Sequence, residues 1–323
     1  MSGRYQVRQL AADDLGDAAV LLAERHKRHR QIWPALDARF EDPVQAAPLI
    51  TELFLREGAS GAIVHAGSQP AAFVLGTRRD SSWGANVWVE DAGSAGSDPD
   101  AIRLAYASAA ARWADEGRTK HYAVVPATDA PIVEAWFRLS FGLQHVHALR
   151  EGVAADFQPA AHNDVVVRPA RHADMARLVE LDVVLPSHSG TSPIFSPLAI
   201  PMPHESRQEI EQDLTDPRFT PFVAEHAGRI IGTATAASLE VSNSNSRMMR
   251  PPSCGFLGFA VVDPEARGLG AGRALADAVL TWSRDQGYPW VATDWRSTNL
   301  EADRTWRAAG FRPTFYRLFR AIA

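Results

Sequence analysis

The sequence predicts an α/β protein with mixed sheets, built from two similar units in tandem. With 323 residues, the chain is long for one domain and comfortable for two. Strand-like apolar runs alternate with helical segments in both halves. Short landmarks also recur in the same order, at offsets of 160 to 170 residues. These landmarks are Val7-Arg8 and Val167-Arg168, Ala12-Asp13-Asp14 and His172-Ala173-Asp174, His65-Ala66-Gly67 and His226-Ala227-Gly228, and Trp136 with Gly142 and Trp306 with Gly310.

The repeat predicts where the two units begin and end. We expect a first unit at 1–152, a linker at 153–162 and a second unit at 163–323. The linker segment contains a proline and several small residues, which are typical of a connection between domains.

The expected elements follow the same order in both units. The first begins with a strand at Tyr5 to Leu10, a helix capped by Asp13 or Asp14, and a hairpin around Gly67. The second is expected to have strands at 165–168, 222–224, 230–236, 255–262, 290–293 and 315–319, and helices at 174–182, 273–284 and 300–309. The segment 185–205 is rich in Pro and Ser, which favours a loop that shapes a site.

Composition narrows the class of protein. No apolar run is long enough for a membrane span, and the N-terminus has no signal-peptide pattern, so we expect a cytoplasmic protein with no membrane partner. The single cysteine, Cys254, excludes an intramolecular disulfide. A net charge of −5 argues against nucleic acid as a partner, and no metal-ligand spacing is found, so no metal is expected. A monomer or homodimer is expected.

The most informative stretch is a glycine-rich turn between the central strand of the second half and the next helix. It reads Arg267-Gly268-Leu269-Gly270-Ala271-Gly272-Arg273 and follows Val262-Asp263-Pro264. Glycines allow the backbone to approach an anion closely, and the first N–H groups of a helix point at that anion. The turn therefore predicts a phosphate-binding loop. A P-loop would need Lys-Ser or Lys-Thr after the glycines, and a dinucleotide fold would need a third glycine where Leu275 stands.

The turn resembles the acyl-CoA loop of the Gcn5-related N-acetyltransferase (GNAT) family, which reads Arg/Gln-x-x-Gly-x-Gly/Ala after a strand. The downstream family pattern is also present, as Asn299, Ala302, Trp306, Gly310 and Phe311. The resemblance implies two GNAT-like units in tandem and transfer of an acetyl group from acetyl-CoA to a small-molecule or peptide amine. Transfer would be direct, within a ternary complex.

The resemblance also assigns cofactor-binding residues. Backbone groups of the central strand would contact pantetheine, one of them as an oxyanion hole, and the glycine turn would hold the pyrophosphate. The implied residues are Phe259, Ala260, Val261, Val262, Arg267, Gly268, Leu269, Gly270, Ala271, Gly272, Arg273, Asn299 and Trp306. The counterpart turn of the first half, at 90–98, lacks the arginine and carries three acids. The first unit is therefore expected to be a degenerate scaffold, with a second, weak CoA site as the alternative.

The acid and base of the reaction are less well specified. Trp306 stands where many family members have a tyrosine that protonates the leaving thiolate, and indole does not titrate usefully. Phe256 stands where some members have a glutamate base. We take Asp294 and Tyr316 as catalytic candidates; the other groups that could serve are Glu240, His188, His204, Ser297 and Thr298.

Two other functions stay open on the sequence. The replaced acid and base positions are compatible with a non-catalytic acyl-CoA-binding or regulatory protein. Some tandem GNAT-like proteins are aminoacyl-tRNA-dependent transferases, although the intact CoA loop and the acidic balance disfavour this function here.

Overall fold

The computed structural model describes residues 4–81, 83–158, 164–196, 198–242 and 245–322. By their internal contacts these residues form two compact units, and neither unit is a continuous piece of chain. The first contains 1–146, 246–252 and 313–323, and the second contains 147–245 and 253–312. The compact units therefore differ from the predicted segments 1–152 and 163–323, since the last strand belongs to the first unit. The repeat boundaries themselves stay a prediction.

The first unit has a mixed sheet with helices packed against it. Its elements in chain order are β1 (Tyr5–Gln9), α1 (Leu15–Ile32), α2 (Pro43–Phe54), β2 (Ser60–Ala66), β3 (Gln69–Ser81), β4 (Gly84–Val89), β5 (Ser94–Gly96), α3 (Pro99–Asp115), β6 (Lys120–Pro126), α4 (Ala130–Phe137), the start of β7 (Gly142–Glu151) and most of β13 (Arg312–Ala321). The strand order is β1-β2-β3-β4-β6-β13, with β5 paired to β3. β4 and β6 are parallel, and the other pairs that are given by register are antiparallel.

The second unit repeats this plan. Its elements are the end of β7, β8 (Val166–Pro169), α5 (Met175–Asp182), α6 (Val184–Ser189), α7 (Pro203–Thr215), β9 (Phe219–His226), β10 (Arg229–Ser238), β11 (Gly255–Val262), α8 (Ala271–Asp285), β12 (Trp290–Arg296) and α9 (Leu300–Ala308). Its strand order is β12-β11-β10-β9-β8, with only β11 and β12 parallel. The predicted order of elements is therefore confirmed, while the segment 185–205 carries most of α6 and the start of α7 and is not loop throughout.

Equivalent side chains make equivalent contacts in the two units. Arg8 donates to the buried carboxylate of Asp14 (2.6 Å), and Arg168 donates to Asp174 (2.7 Å). The backbone N–H three residues before each acid also donates to it, at 2.8 Å in both units. The same ion pair therefore fixes the turn between the first strand and the first helix twice, which supports the repeat inferred from Val7-Arg8 and Val167-Arg168.

The structure corrects one detail of the repeat. Ser140 and Gly310 both have a positive φ, of 62° and 90°, and each directly precedes a phenylalanine, Phe141 or Phe311. Ser140, rather than Gly142, is thus the counterpart of Gly310. The sequence comparison missed it because a serine in the left-handed region has no strong signature.

Helix α7 predicts a pH dependence of stability. Burial and the neighbouring carboxylates, Glu209 first among them, raise the pKa of Asp213 to about 6. A folded-state pKa above the unfolded value costs stability as the pH rises from about 4 to about 6 and at every higher pH. Asp213→Asn should therefore raise the free energy of unfolding at pH 7 by about 1 kcal/mol, after allowance for the half-exposed position, and leave it unchanged near pH 4.

Urea unfolding at several pH values measures this effect. Glu211→Gln removes the same charge from an exposed position on the same helix and should not stabilise the protein at pH 7. An Asp213→Asn protein no more stable than wild type at pH 7 would contradict the raised pKa.

No helix in the described ranges is long and apolar enough to cross a membrane.

Candidate functional site

The glycine turn of the second unit is anchored at its start by ion pairs to one buried carboxylate. Asp263, which directly follows β11, is 7% exposed; its carboxylate accepts hydrogen bonds from Arg177, from Arg229 at 2.8 Å and from the backbone N–H of Glu265 at 3.0 Å. Burial alone would raise the pKa of Asp263, but the Glu265 N–H and Arg177 hold it below its ordinary value. These contacts therefore hold Asp263, the residue at which the turn begins, in place.

Two of the glycines adopt backbone conformations that other residues avoid. Gly268 has φ of 83°, and Gly270, the N-cap of α8, has φ of 87°. Gly272 lies in the first turn of α8, where a Cβ would be in ordinary van der Waals contact with Thr305 at 3.4 Å. The backbone conformation therefore explains the glycines at 268 and 270, whereas the space at 272 would also admit a small side chain.

The turn and the helix start together present unpaired backbone donors. Leu269 N–H points back to the Ala266 carbonyl (3.5 Å), and Arg273 N–H bonds the Gly270 carbonyl (3.0 Å). Within the part of the chain that the structure describes, the N–H groups of Gly268, Gly270, Ala271 and Gly272 donate to no backbone carbonyl. Four such donors at the N-terminus of a 15-residue helix form an anion cradle, because the helix dipole adds to their partial charges.

The central strand, β11, separates from its neighbour β12 beside this cradle. β11 and β12 pair only at Gly255 with Val291 and at Phe256 with Ala292. Beyond them, the hydroxyl of Thr293 donates to the Leu257 carbonyl (3.0 Å), and a bulge shifts the register of β11 against β10. From Phe259 to Val262, β11 is paired to β10 and has no register partner on β12, so its other edge can offer backbone groups to an extended ligand.

A cleft of about 650 Å³ joins the opened strand to the cradle. Both sets of predicted residues meet in it, together with a wall from α6 that the motifs did not predict. The lining residues are Val184, Leu185, His188, Ala260, Val261, Val262, Ala266, Arg267, Gly268, Gly270, Ala271, Gly272, Arg273, Leu275, Asn299, Glu301, Ala302, Arg304, Thr305, Trp306 and Ala308. Of the predicted cofactor residues, Phe259 and Leu269 are not in this lining.

The charged side chains of the cleft differ in how firmly they are held. Arg273 donates to the buried carboxylate of Asp277 (3.1 Å) and to the carbonyl of Ala308, so it ties α8 to α9. Arg267 is 38% exposed, and its partner is Glu301 at 3.0 Å. Arg267 therefore remains the more available cation of the two arginines that flank the glycines.

Helix α9 supplies the opposite wall. Asn299 is its N-cap, and the side-chain oxygen accepts from the N–H of Ala302 (3.1 Å). Trp306 is 7% exposed and packs edge-on against Phe311, with ring centroids 6.5 Å apart. Asn299, Ala302 and Trp306 therefore follow the spacing of one face of α9, and Phe311 lies in the turn after the helix, directly before β13.

Comparison with known proteins identifies the family of the chain that forms this cleft. The acetyltransferase (GNAT) family model matches residues 191–311. The aminoglycoside N(6')-acetyltransferase type 1 of Stenotrophomonas maltophilia is 36% identical over 108 residues, which cover 33% of this chain and 69% of that protein. This chain belongs to the GNAT acetyltransferase family. N-acetyltransferase 8B of Homo sapiens is 30% identical over 102 residues, or 32% of this chain and 42% of that protein.

Solved structures resemble the chain over nearly its whole length. A GCN5-related N-acetyltransferase from Sphaerobacter thermophilus has a TM-score of 0.55 at 16% identity and covers 99% of this chain and 96% of its own. A glucosamine N-acetyltransferase region of a fungal β-N-acetylglucosaminidase also reaches 0.55, at 14% identity, over 99% of this chain and 38% of that one. Both likenesses concern the fold. The protein is an acyltransferase of a family that uses acyl-CoA.

The corresponding helix start in the first unit of this GNAT protein is different. Residues 90–98 connect β4 to α3, as residues 263–270 connect β11 to α8. Asp98 is the N-cap of α3, and its carboxylate accepts from the N–H of Asp100 (2.9 Å). The helix start that would face a phosphate thus carries its own anion.

The two catalytic candidates lie away from the cleft lining. Tyr316 packs against the hydrophobic core of the first unit. Asp294 is half-buried on β12, with a carboxylate oxygen within 4.8 Å of a ring nitrogen of His147. Both assignments stay predictions. His188 lines the cleft, whereas His204 and Glu240 do not. Glu301 also lines the cleft and lies beside His188.

Sequence reasoning missed Glu301 and Arg304. Both lie on α9 between the motif residues Asn299 and Trp306, and they share a face with Thr305 and Ala308. Helical spacing from Asn299 would not have found them, since the positions three and four residues after it are Ala302 and Asp303.

Proposed function

We propose that this GNAT protein transfers the acetyl group of acetyl-CoA to a primary amine of a small molecule. The observation that carries the proposal is the continuity between the anion cradle and the opened edge of β11, joined in one cleft. A pyrophosphate on the free N–H groups and a pantetheine along the strand would fit this shape. Of the family's amine substrates, a small molecule is favoured by the relative named as an aminoglycoside acetyltransferase.

The proposed cofactor contacts follow from the geometry. N–H groups of Gly268, Gly270, Ala271 and Gly272 would hold the pyrophosphate, with Arg267 as the cation beside them. The free edge of β11 from Phe259 to Val262 would pair with pantetheine amides, and one N–H there would donate to the thioester oxygen as negative charge develops on it. Trp306 would form the apolar wall beside the chain.

Direct transfer in a ternary complex is favoured over an acyl-enzyme. Cys254, the one cysteine of the sequence, is 3% exposed and donates to its neighbour's carbonyl at 3.2 Å. Burial raises the pKa of the Cys254 thiol, which lowers the thiolate fraction. We infer that the neutral amine nitrogen attacks the thioester carbonyl, that the C–S bond breaks with its electron pair on sulfur, and that the nitrogen loses its extra proton to solvent. CoA leaves as the thiolate, whose ordinary pKa of about 8.5 makes this possible without an acid.

Thiol release from acetyl-CoA, measured over a panel of amines, tests the function. The panel contains aminoglycosides, simple alkylamines, a peptide with a free N-terminus and a lysine peptide. We expect release only with an amine present, an acetylated small molecule by mass spectrometry, and no acetyl group on the protein after incubation with acetyl-CoA alone. Cys254→Ser should retain activity. Binding of acetyl-CoA without transfer to any amine would contradict the proposal, as would an acetylated enzyme.

A further inference from the structure

Glu301 brings a negative charge into a cleft that is otherwise built for an anion. It lies in the first turn of α9, and its carboxylate faces the cradle. One oxygen is 3.0 Å from Nη1 of Arg267, and the other is 3.9 Å from Nε2 of His188. Glu301 thus forms an ion pair with Arg267, the cation that would otherwise bind the pyrophosphate of the cofactor.

The fold does not depend on this contact for its main anchors. Asn299 already caps α9, Asp277 holds Arg273, and Arg177 and Arg229 hold Asp263. The side chains of Glu301 and Arg267 are 51% and 38% exposed, and exposed ion pairs contribute little to stability. The carboxylate can therefore leave Arg267 at small cost.

In each unit a carboxylate of the protein lies near the start of a helix, α3 in the first and α8 in the second, but the two carboxylates are held differently. In the first unit Asp98 is the N-cap of α3 itself and bonds its first N–H groups, so its charge is fixed there. In the second unit the N-cap is Gly270, which has no side chain, and the nearby carboxylate comes from a different helix. An anion held by another element can be exchanged for a ligand.

We propose that Glu301 is an exchangeable counter-ion of the cradle, which competes with the CoA pyrophosphate for Arg267 and so sets how tightly CoA is held. This inference rests on the proposed function. On binding, Arg267 turns from the carboxylate to the phosphate, and Glu301 keeps its place beside His188. On release, the carboxylate takes Arg267 back, which favours departure of the CoA product.

Calorimetric titration with CoA tests the exchange. Glu301→Gln keeps the size of the side chain and removes the charge, and it should lower the Kd for CoA by about two- to fivefold. The gain should disappear in the Arg267→Gln background, because the cation that Glu301 pairs with is then gone. Glu301→Asp should restore much of the wild-type affinity. Glu265→Gln removes an equal charge from an exposed acid outside the cleft lining, and it should change the Kd by less than about twofold.

The outcomes separate this inference from the proposed function. If wild type does not bind CoA, the function fails. If wild type binds and Glu301→Gln binds equally or more weakly, the counter-ion role fails while the function stands. An equal gain in Glu265→Gln would show a general charge effect and would also overturn the role. A loss of thermal stability in Glu301→Gln with an unchanged Kd would leave Glu301 as a helix-terminal acid only.

Arg304 provides a contrasting variant on the same helix face. It is exposed, it lines the cleft, and among the described residues it has no ion-pair partner within 4 Å. Arg304→Gln should raise the Kd for CoA by about two- to fivefold, opposite in sign to Glu301→Gln. An equal change of the same sign in both variants would contradict a charge competition and indicate damage to α9.

Discussion

Gly270→Glu should weaken CoA binding by more than about a hundredfold while the protein stays folded. The new carboxylate would stand at the N-cap of α8, among the N–H groups of Gly268, Ala271 and Gly272. Like charges about 4 Å apart at an effective dielectric constant of 20 repel by about 4 kcal/mol, which exceeds a hundredfold in affinity. Binding is measured by calorimetry with CoA, and turnover by thiol release.

The same substitution at Gly287 is the matched control. Gly287 follows α8 at its other end and has φ of 78°, and a Cβ there meets nothing within 4 Å. Both variants carry a glutamate in the left-handed region, so each should lose about 1–2 kcal/mol of stability. Only Gly270→Glu should lose CoA. Unchanged affinity in Gly270→Glu would refute the cradle, and a similar loss in Gly287→Glu would attribute the effect to folding.

Trp306→Ala should lower both the stability of the protein and its affinity for CoA. The ring is 7% exposed, it packs on Phe311, and it lines the cleft. Truncation of a buried tryptophan typically costs about 3–5 kcal/mol of the free energy of unfolding. Loss of the apolar wall should also raise the Kd for CoA by about tenfold. Chemical unfolding and calorimetry measure the two effects separately.

Trp136 offers the equivalent position in the first unit. It is fully buried and packs edge-on against Phe141 at 4.9 Å, five residues on, as Trp306 does against Phe311. Trp136→Ala should lose comparable stability and keep the CoA affinity of the folded protein within about twofold. Trp306→Phe keeps an aromatic ring and should retain most of the affinity for CoA. This variant tests the same wall if Trp306→Ala does not fold. Equal affinity in Trp306→Ala and Trp136→Ala would show that Trp306 does not form the cofactor wall.

Local backbone requirements explain why much of the site was predictable. Gly268 and Gly270 occupy left-handed conformations that few residues tolerate, so the spacing of these two glycines reflects the geometry of the turn. Asn299 caps α9 through a bond to the residue three positions on, which is also a local rule. Ordered motifs of this kind can be identified in a sequence because each depends on a few neighbouring residues.

Side-chain partnerships were not predictable in the same way. Arg267 and Arg273 flank the same glycines and appear equivalent in the sequence. In the structure, Arg273 pairs with buried Asp277, whereas Arg267 pairs with Glu301. Phe259 and Leu269 belong to the motifs but do not line the cleft, because the direction of a side chain depends on the bulge and turn in which it lies.

The sequence by itself determined the repeated α/β plan, the glycine turn before α8 and the family. Each depends on periodicity, on glycine conformation or on short-range capping, which neighbouring residues fix. Only the tertiary structure decided that β13 joins the first unit, that Asp98 fills the helix start there, and that Glu301 meets Arg267 in the second. These contacts join residues far apart in the chain, and the packing energy that selects them depends on the whole arrangement of helices and strands.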